Sequence, residues 1–344
     1  MKRKKKIAFA AAIILAVTSL PVTVFAAKKE TSSDKALTPI TLNEVAHSIF
    51  YAPQYVAIEN GYFEEEGLEL TLVTGFGADK VMTAVISGEA DIGFMGAEAS
   101  VYAYQEGATD PVVNFAQLTQ RAGNFLVARE EMPDFQWDDL KGKKVLGGRA
   151  GGMPEMVFEY ILRKNGIDPK ADLKIDQSID FGSTAAAFTG DTSSDFTVEF
   201  EPSATALEKE GNGYVVASLG VDSGYVPYTS YSAKNSLLEK NPQLIQSFTN
   251  ALQKGMDYVQ DHTPEEIASV IKPQFPETDL DTLTAIVTRY HEQDTWKENL
   301  IFEPDSFELL QDILEDAGEL KARVSYEDLV TTDFAQKASE HSAS

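Results

Sequence analysis

From Pro39 to about Leu118 the chain alternates strand patterns with helical ones, and a chain written this way has few folds open to it. "PITLNEVA", "LELTLV", "ADIGFM" and "PVVNFAQLT" read as strands. Between them, "APQYVAIENG" and "ADKVMTAVISG" place apolar residues at helical spacing and stop at Gly61 and Gly88, and "EASVYAYQEG" is a third helix. Strands that alternate with helices predict a largely parallel sheet with helices on its faces. A second run starts near Asn124. Its strands are "NFLVA", "KKVLGG", "ADLKID", "DFTVEF" and "GYVVASL", and its helices are "GMPEMVFEYILRKNG", "TAAAFTG" and "PSATALEKEG". After about Ser232 only helices follow, three of them opened by Pro242, Pro264 and Pro304 at the first turn. Helices of this kind need a sheet to cover, so they are expected to pack back on the first domain. The expected organisation is α/β in two lobes: 39–121 with 230–333 as lobe I, and 122–229 as lobe II.

The ends of the chain read differently. Residues 1–26 carry five basic residues, then an apolar run from Ile7 to Leu20, then Pro21 and small residues before Ala26. A membrane anchor is the competing reading, but a span needs about 20 apolar residues, so a cleaved signal peptide is expected. The mature protein is then extracytoplasmic. Residues 27–38 are a polar linker, and 334–344 are expected to be a disordered tail.

The whole chain has a formal net charge of −25, and removing 1–26 leaves it near −30. Such a surface repels nucleic acid and anionic lipid. The absence of cysteine excludes disulfides, a thiol nucleophile and cysteine-bound zinc. The four histidines show no metal-ligand spacing. No Walker loop, nucleophile elbow or other catalytic constellation is present. No cofactor and no catalytic residue is expected.

An internal echo points to a site. "ISGEADIGFMGAEAS" and "FTGDTSSDFTVEFEPSA" share one plan: helix, Gly, Asp, strand, then a polar turn that opens a helix. Ligands of open α/β sheets bind beyond the carboxyl ends of strands, so the turns 96–100 and 199–203 should face one crevice. Gly96, Glu98 and Glu199 are candidates there. Glu98, Glu155, Glu199 and Glu201 all lie where a carboxylate caps a helix. Glu199, inside an apolar strand end, is the least suited to capping and the best candidate for a ligand carboxylate. "GGRAGG" adds Arg149, Gly152 and the following Met153, either as a ligand loop or as a plain strand-to-helix turn. The aromatic residues Phe50, Tyr51, Phe76, Phe181, Tyr225 and Tyr228 sit in turns and offer faces to a flat ligand. For Phe50 and Tyr51 the plain alternative is a hydrophobic staple at a helix entry.

"APQYVAIENGYFEEEGLELTLV", "GADKVMTAVISGEADIGFMG", "DDLKGKKVLGG" and "LRKNGID" together resemble the extracytoplasmic solute-binding proteins of ABC importers. The branch is the one that binds sulfonates, taurine, nitrate and the pyrimidine precursor of thiamine, and the resemblance runs over about residues 40–260. It implies a type 2 periplasmic-binding-protein fold: two lobes, each a mixed sheet flanked by helices, joined by two crossover segments and closing on ligand. It also implies a small-molecule ligand, a permease partner in the membrane, a monomer and no enzyme activity. Three departures matter, the first being Tyr51, which stands where pyrimidine-binding relatives often carry histidine. Pyrimidine-synthesising relatives use a cysteine-rich motif, which is missing here, and sulfonate binders tend to carry Ser or Thr where this chain has "GGMPE". The expected ligand is a flat heteroaromatic resembling the thiamine pyrimidine. The alternatives are a sulfonate, taurine or nitrate, and, more remotely, a synthase on the same fold.

Overall fold

The computed structural model describes residues 36–179 and 182–342, which belong to one compact unit, Ala36–Ser344. The expected signal peptide, the linker up to residue 35 and Phe181 lie outside the described residues.

The chain builds two five-stranded sheets. The first holds β1 (Thr38–Glu44), β2 (Leu68–Thr74), β3 (Ile92–Gly96), β4 (Val112–Thr119) and β10 (Thr229–Lys234) in the order β2-β1-β3-β10-β4. The second holds β5 (Asn124–Ala128), β6 (Lys144–Leu146), β7 (Lys174–Asp176), β8 (Phe196–Phe200) and β9 (Tyr214–Ser218) in the order β7-β6-β8-β5-β9. The two orders superimpose. In each sheet three parallel strands are followed by one antiparallel strand that arrives from the other lobe: β10 pairs antiparallel with β3 and β4, and β5 with β8 and β9. The echo between the two strand-turn-helix segments is therefore a topological equivalence, with β3 and β8 at matching central positions. The buried runs of β3, β4, β5 and β8 are those of strands covered on both faces. Edge strand β2 instead alternates, burying Leu68 and exposing Glu69, Thr71 and Val73.

Two expectations about the C-terminal third are corrected. Helix Pro242–Asp261 does cover lobe I, burying Phe248, Leu252 and Met256 against helix Ala52–Glu59. Helix Pro304–Ala317, assigned to lobe I from sequence, packs instead on helix Met153–Lys164 of lobe II. Its apolar stripe of Phe307, Leu310, Ile313 and Leu314 is evident in sequence, but the stripe does not say which neighbour it meets. The tail expected to be disordered forms helix Asp333–Ser342, seating Phe334, Ala335 and Ala338 on helix Pro242–Asp261. Few apolar residues sufficed because a helix needs only one stripe, and packing supplies the stability that propensity does not.

The two sheets are joined by the chain between β4 and β5 and by the segment from Ser218 to Thr229, and the chain crosses again on either side of helix Pro304–Ala317. Thr119 and Thr229 bond through their hydroxyls, and Val226 N–H donates to Gln120 O at 2.9 Å, so the two crossings run side by side. Phe50 lies at this joint, not on a ligand-facing loop. It is fully buried among the rings of Tyr51, Phe200, Tyr228 and Tyr290, at centroid distances of 5.2, 5.7, 5.6 and 5.3 Å. Trp296 Nε1 donates to its carbonyl at 2.9 Å. Gly123, in the first crossing, lies so close that a Cβ there would sit 2.5 Å from the Phe50 ring.

Candidate functional site

A chamber opens where the carboxyl ends of β1, β3 and β8 face one another. Tyr51, Gly96, Glu98, Arg149, Gly152, Met153 and Tyr228 line it, as the sequence predicts. Its volume is about 80 Å³. The walls come from both lobes: Val45, Gly96 and Glu98 follow strands of lobe I, while Met153, Val198 and Phe200 belong to lobe II.

Glu98 is the first residue of helix Glu98–Gln105, directly after β3, and only 3 % of its surface is exposed. Burial pushes its carboxyl up to about 7, against the pull of the backbone N–H groups of residues 98 and 153 and of the Arg149 guanidinium. Oε2 has no hydrogen-bond partner among the described residues. Gly96 makes room for this carboxyl group, because a Cβ there would overlap it. Across the chamber, Asn124 is fully buried at the start of β5. Tyr228 donates its hydroxyl to Asn124 Oδ1 at 3.1 Å, and Asn124 Nδ2 is left without a partner among the described residues. Two chamber-lining residues thus each carry an unsatisfied buried polar atom, an acceptor on Glu98 and a donor on Asn124. Nine buried side-chain polar atoms are orphaned among the described residues, and these two are the ones carried by chamber-lining residues; each costs about 1–3 kcal/mol.

Arg149 lines the chamber from the glycine turn, with nearly half of its side chain exposed, and lies 3.7 Å from Asp79 of lobe I. The turn itself is largely committed. Gly147 N–H donates to Asp176 O at 3.1 Å, Gly151 N–H to Glu155 Oε2 at 3.3 Å, and Gly152 N–H to Arg149 O at 3.4 Å. Tyr102 of lobe I donates to Gly151 O at 3.0 Å, so the turn also bridges the lobes.

The remaining candidates fall elsewhere. Glu199 does not line the chamber. Strand side chains alternate in direction, so Val198 and Phe200 face the chamber and Glu199 faces away, buried, with Thr197 Oγ1 donating to it at 2.6 Å and Thr184 also bonding it. Its carboxyl is likewise raised to about 7 by burial. Glu201 is the expected cap: its Oε2 accepts Thr205 N–H at 2.9 Å, and Arg289 pairs with it at 2.6 Å. Glu155 is raised by burial and by its neighbour Glu159, and sits behind the glycine turn. Phe76 is 71 % exposed at φ 57°, and Tyr225 is exposed under Arg121 and bonded to Asp294; neither reaches the chamber. Sequence reasoning missed Asn124, Thr184, Val198, Phe200 and Thr229. A buried amide opening the apolar strand "NFLVA" was the signal available for Asn124. The others are indistinguishable in sequence from ordinary strand or cap residues.

The profile of NMT1/THI5-like proteins matches residues 49–267. The chain belongs to the NMT1/THI5-like family. YtlA of Bacillus subtilis (strain 168), which carries a provisional binding-protein name, is 45 % identical over 304 residues, covering 88 % of this chain and 91 % of YtlA. A relative of another kind, the 4-amino-5-hydroxymethyl-2-methylpyrimidine phosphate synthase of Aspergillus parasiticus, is 25 % identical over 226 residues, covering 61 % of this chain and 63 % of the synthase. Among solved structures, the alkanesulfonate-binding protein SsuA of Xanthomonas axonopodis pv. citri bound to MOPS superimposes with a TM-score of 0.69 at 15 % identity, over 86 % of this chain and 98 % of SsuA. The two-lobed periplasmic-binding-protein architecture inferred from sequence is therefore the fold of this NMT1/THI5-like chain. Among the described residues no helix is long and apolar enough to cross a membrane, and no group of three or more His, Asp or Glu is placed to hold a metal ion.

Proposed function

We propose that this NMT1/THI5-like protein is the extracytoplasmic solute receptor of an ABC importer. In this reading it captures a small, flat heteroaromatic nutrient resembling the thiamine pyrimidine and hands it to a membrane permease without altering it. The observation that carries the reading is the pair of orphaned groups on chamber-lining residues. A ring that donates an N–H to Glu98 Oε2 and accepts from Asn124 Nδ2 satisfies both, and an aminopyrimidine carries an amino donor together with ring-nitrogen acceptors. The donor bond to a carboxylate is charge-assisted and contributes about 1.5–3 kcal/mol. Tyr51, Phe200 and Tyr228 offer ring faces to the same ligand. The receptor reading is supported by the YtlA relative and by the fold, and the lack of any cysteine argues against the chemistry of the synthase relatives.

The second reading is an anion receptor, favoured by Arg149 in the chamber and by the likeness to SsuA. Against it stand the committed N–H groups of the glycine turn and the Asp79 carboxylate beside Arg149. Calorimetry with 4-amino-5-hydroxymethyl-2-methylpyrimidine, taurine and nitrate separates the two. The expected result is micromolar or tighter binding of the pyrimidine alone. Binding of taurine or nitrate that is lost in Arg149→Ala and kept in Glu98→Gln establishes the anion reading instead. On either reading the lobes should close by rotation about the paired crossings, and small-angle scattering with saturating ligand should show a smaller radius of gyration.

A further inference from the structure

Beyond the paired crossings, the chain reaches lobe II again through an arm that starts and ends on lobe I. Gln117 N–H donates to Leu300 O at 2.8 Å before the arm leaves, and Thr331 N–H donates to Asn114 O at 3.0 Å after it returns. Both ends are thus fixed to edge strand β4. Tyr326 donates its hydroxyl to Phe302 O and closes the neck. Between these points helix Pro304–Ala317 buries Phe307, Leu310, Ile313 and Leu314 and packs on helix Met153–Lys164 of lobe II. Arg323 pairs with Glu308, Asp312 and Glu315, which pins the returning segment to the same helix. Burial of these apolar side chains makes the tip of the arm part of lobe II. When the lobes separate, the tip goes with lobe II, and what gives way is its contact with lobe I beyond the neck.

That contact falls on helix Glu98–Gln105. Gln105 Nε2 donates to Ala322 O of the arm at 2.7 Å, and Lys321 pairs with Glu106. The charged pair is exposed on both sides and contributes little. One turn earlier, Tyr102 donates to Gly151 O of the glycine turn at 3.0 Å. The Glu319 carboxyl group of the arm borders the same glycine, 3.5 Å from where a Cβ would stand. Residues 98, 102, 105 and 106 are spaced i, i+4, i+7 and i+8, which puts them on one helical face. The face that brings Glu98 to the chamber therefore also meets the glycine turn and the arm. Tyr104, on the same helix, bonds Asp328 at 3.0 Å, but Asp328 lies in helix Tyr326–Leu329, which packs on β4 within lobe I.

We propose that this helical face is a closure latch. Tyr102 and Gln105, which do not line the chamber, are positioning residues: they draw the lobes together before a ligand arrives, and the glycine turn and the arm are the lobe II side of the latch. Ligand then completes a closure that the free protein already populates in part. The latch rests on the reading of the lobes as a closing pair and on no particular ligand.

Small-angle scattering of the ligand-free protein is the direct test. Tyr102→Phe with Gln105→Ala removes both inter-lobe bonds and should raise the radius of gyration above that of the wild type, with little change in melting temperature. Tyr104→Phe removes a bond of the same kind within lobe I and should leave the radius unchanged. Stopped-flow binding of 4-amino-5-hydroxymethyl-2-methylpyrimidine should show dissociation about tenfold faster in the double variant and association no slower, because open lobes admit the ligand and the latch retains it. A ligand-free radius equal to that of the wild type, or one raised equally by Tyr104→Phe, overturns the latch. If the pyrimidine binds neither protein, the reading of the chamber falls, and the ligand-free radius alone upholds or overturns the latch.

Discussion

The turn after β3 and the end of β8 occupy equivalent places in the two sheets, and each carries glutamates, yet only one of these carboxyl groups enters the chamber. Glu98 stands one turn beyond its strand, where the chain has left the sheet and the side chain can aim across the cleft. Glu199 is still within β8, so the twofold alternation of the strand turns it away from the side of Val198 and Phe200, and Thr197 and the chamber-lining Thr184 satisfy it. Glu201, just past the strand, is held by Thr205 and Arg289. Burial and a raised carboxyl are common to Glu98 and Glu199. They differ in that Glu98 Oε2 has no partner among the described residues, whereas Glu199 is bonded by Thr197 and Thr184.

The largest effect expected is on the aromatic joint that holds the two strand ends in register. Phe50→Ala should cost about 3–5 kcal/mol in denaturant unfolding, the usual cost of truncating a fully buried Phe. Phe76→Ala, at an exposed turn, should stay within about 0.5 kcal/mol. Equal effects would mean that Phe50 is not core.

Next, Glu98→Gln should weaken the binding of an aminopyrimidine by roughly 10- to 150-fold, the equivalent of about 1.5–3 kcal/mol for a charge-assisted bond. Glu199→Gln should change it less than about threefold. The reverse order, read by calorimetry, would mean that the Glu199 carboxyl reaches the ligand after all.

The same contrast predicts a pH dependence. The folded carboxyl of Glu98 is raised from 4.5 to about 7, so between those values the folded apo protein holds a proton that the unfolded chain releases. Its contribution is therefore complete below about 4.5 and declines as pH rises to about 7, by up to about 3 kcal/mol. Glu98→Gln should remove that decline and leave the apo protein more stable at pH 8, even as it loses ligand. Binding of an N–H donor needs the carboxylate, so affinity should rise with pH across 7. Urea titrations of both proteins from pH 4.5 to 8 measure the first effect; parallel slopes would show that Glu98 is not the titrating group. The smallest effect is Gly96→Ala. Its methyl group displaces the Glu98 carboxyl, and affinity should fall by about tenfold with little change in unfolding.

Much of this fold is legible in the sequence because it is written in local periods. The alternation of "LELTLV" and the helical spacing of "ADKVMTAVISG" depend only on which face of each element is buried, and each element formed where expected. The resemblance carried by "APQYVAIENG" and "ISGEADIGFMG" identified the two-lobed arrangement, and the match to an NMT1/THI5-like profile agrees with it. That the turns carrying Gly96, Glu98, Arg149 and Met153 would face one crevice was legible because the ends of neighbouring strands in open sheets leave such a crevice, and these residues line the chamber. Tertiary structure alone decided the rest. Both rings are buried, but Phe50 lies against the crossing at Gly123 while Tyr51 lines the chamber. Asn124 gained its role from Tyr228, 104 residues away, which uses its carbonyl and frees its amide. Helix Pro304–Ala317 chose lobe II because its apolar stripe found a face there. In each case the deciding partner is distant in the chain, and a local pattern shows that a face will be buried without showing what will bury it.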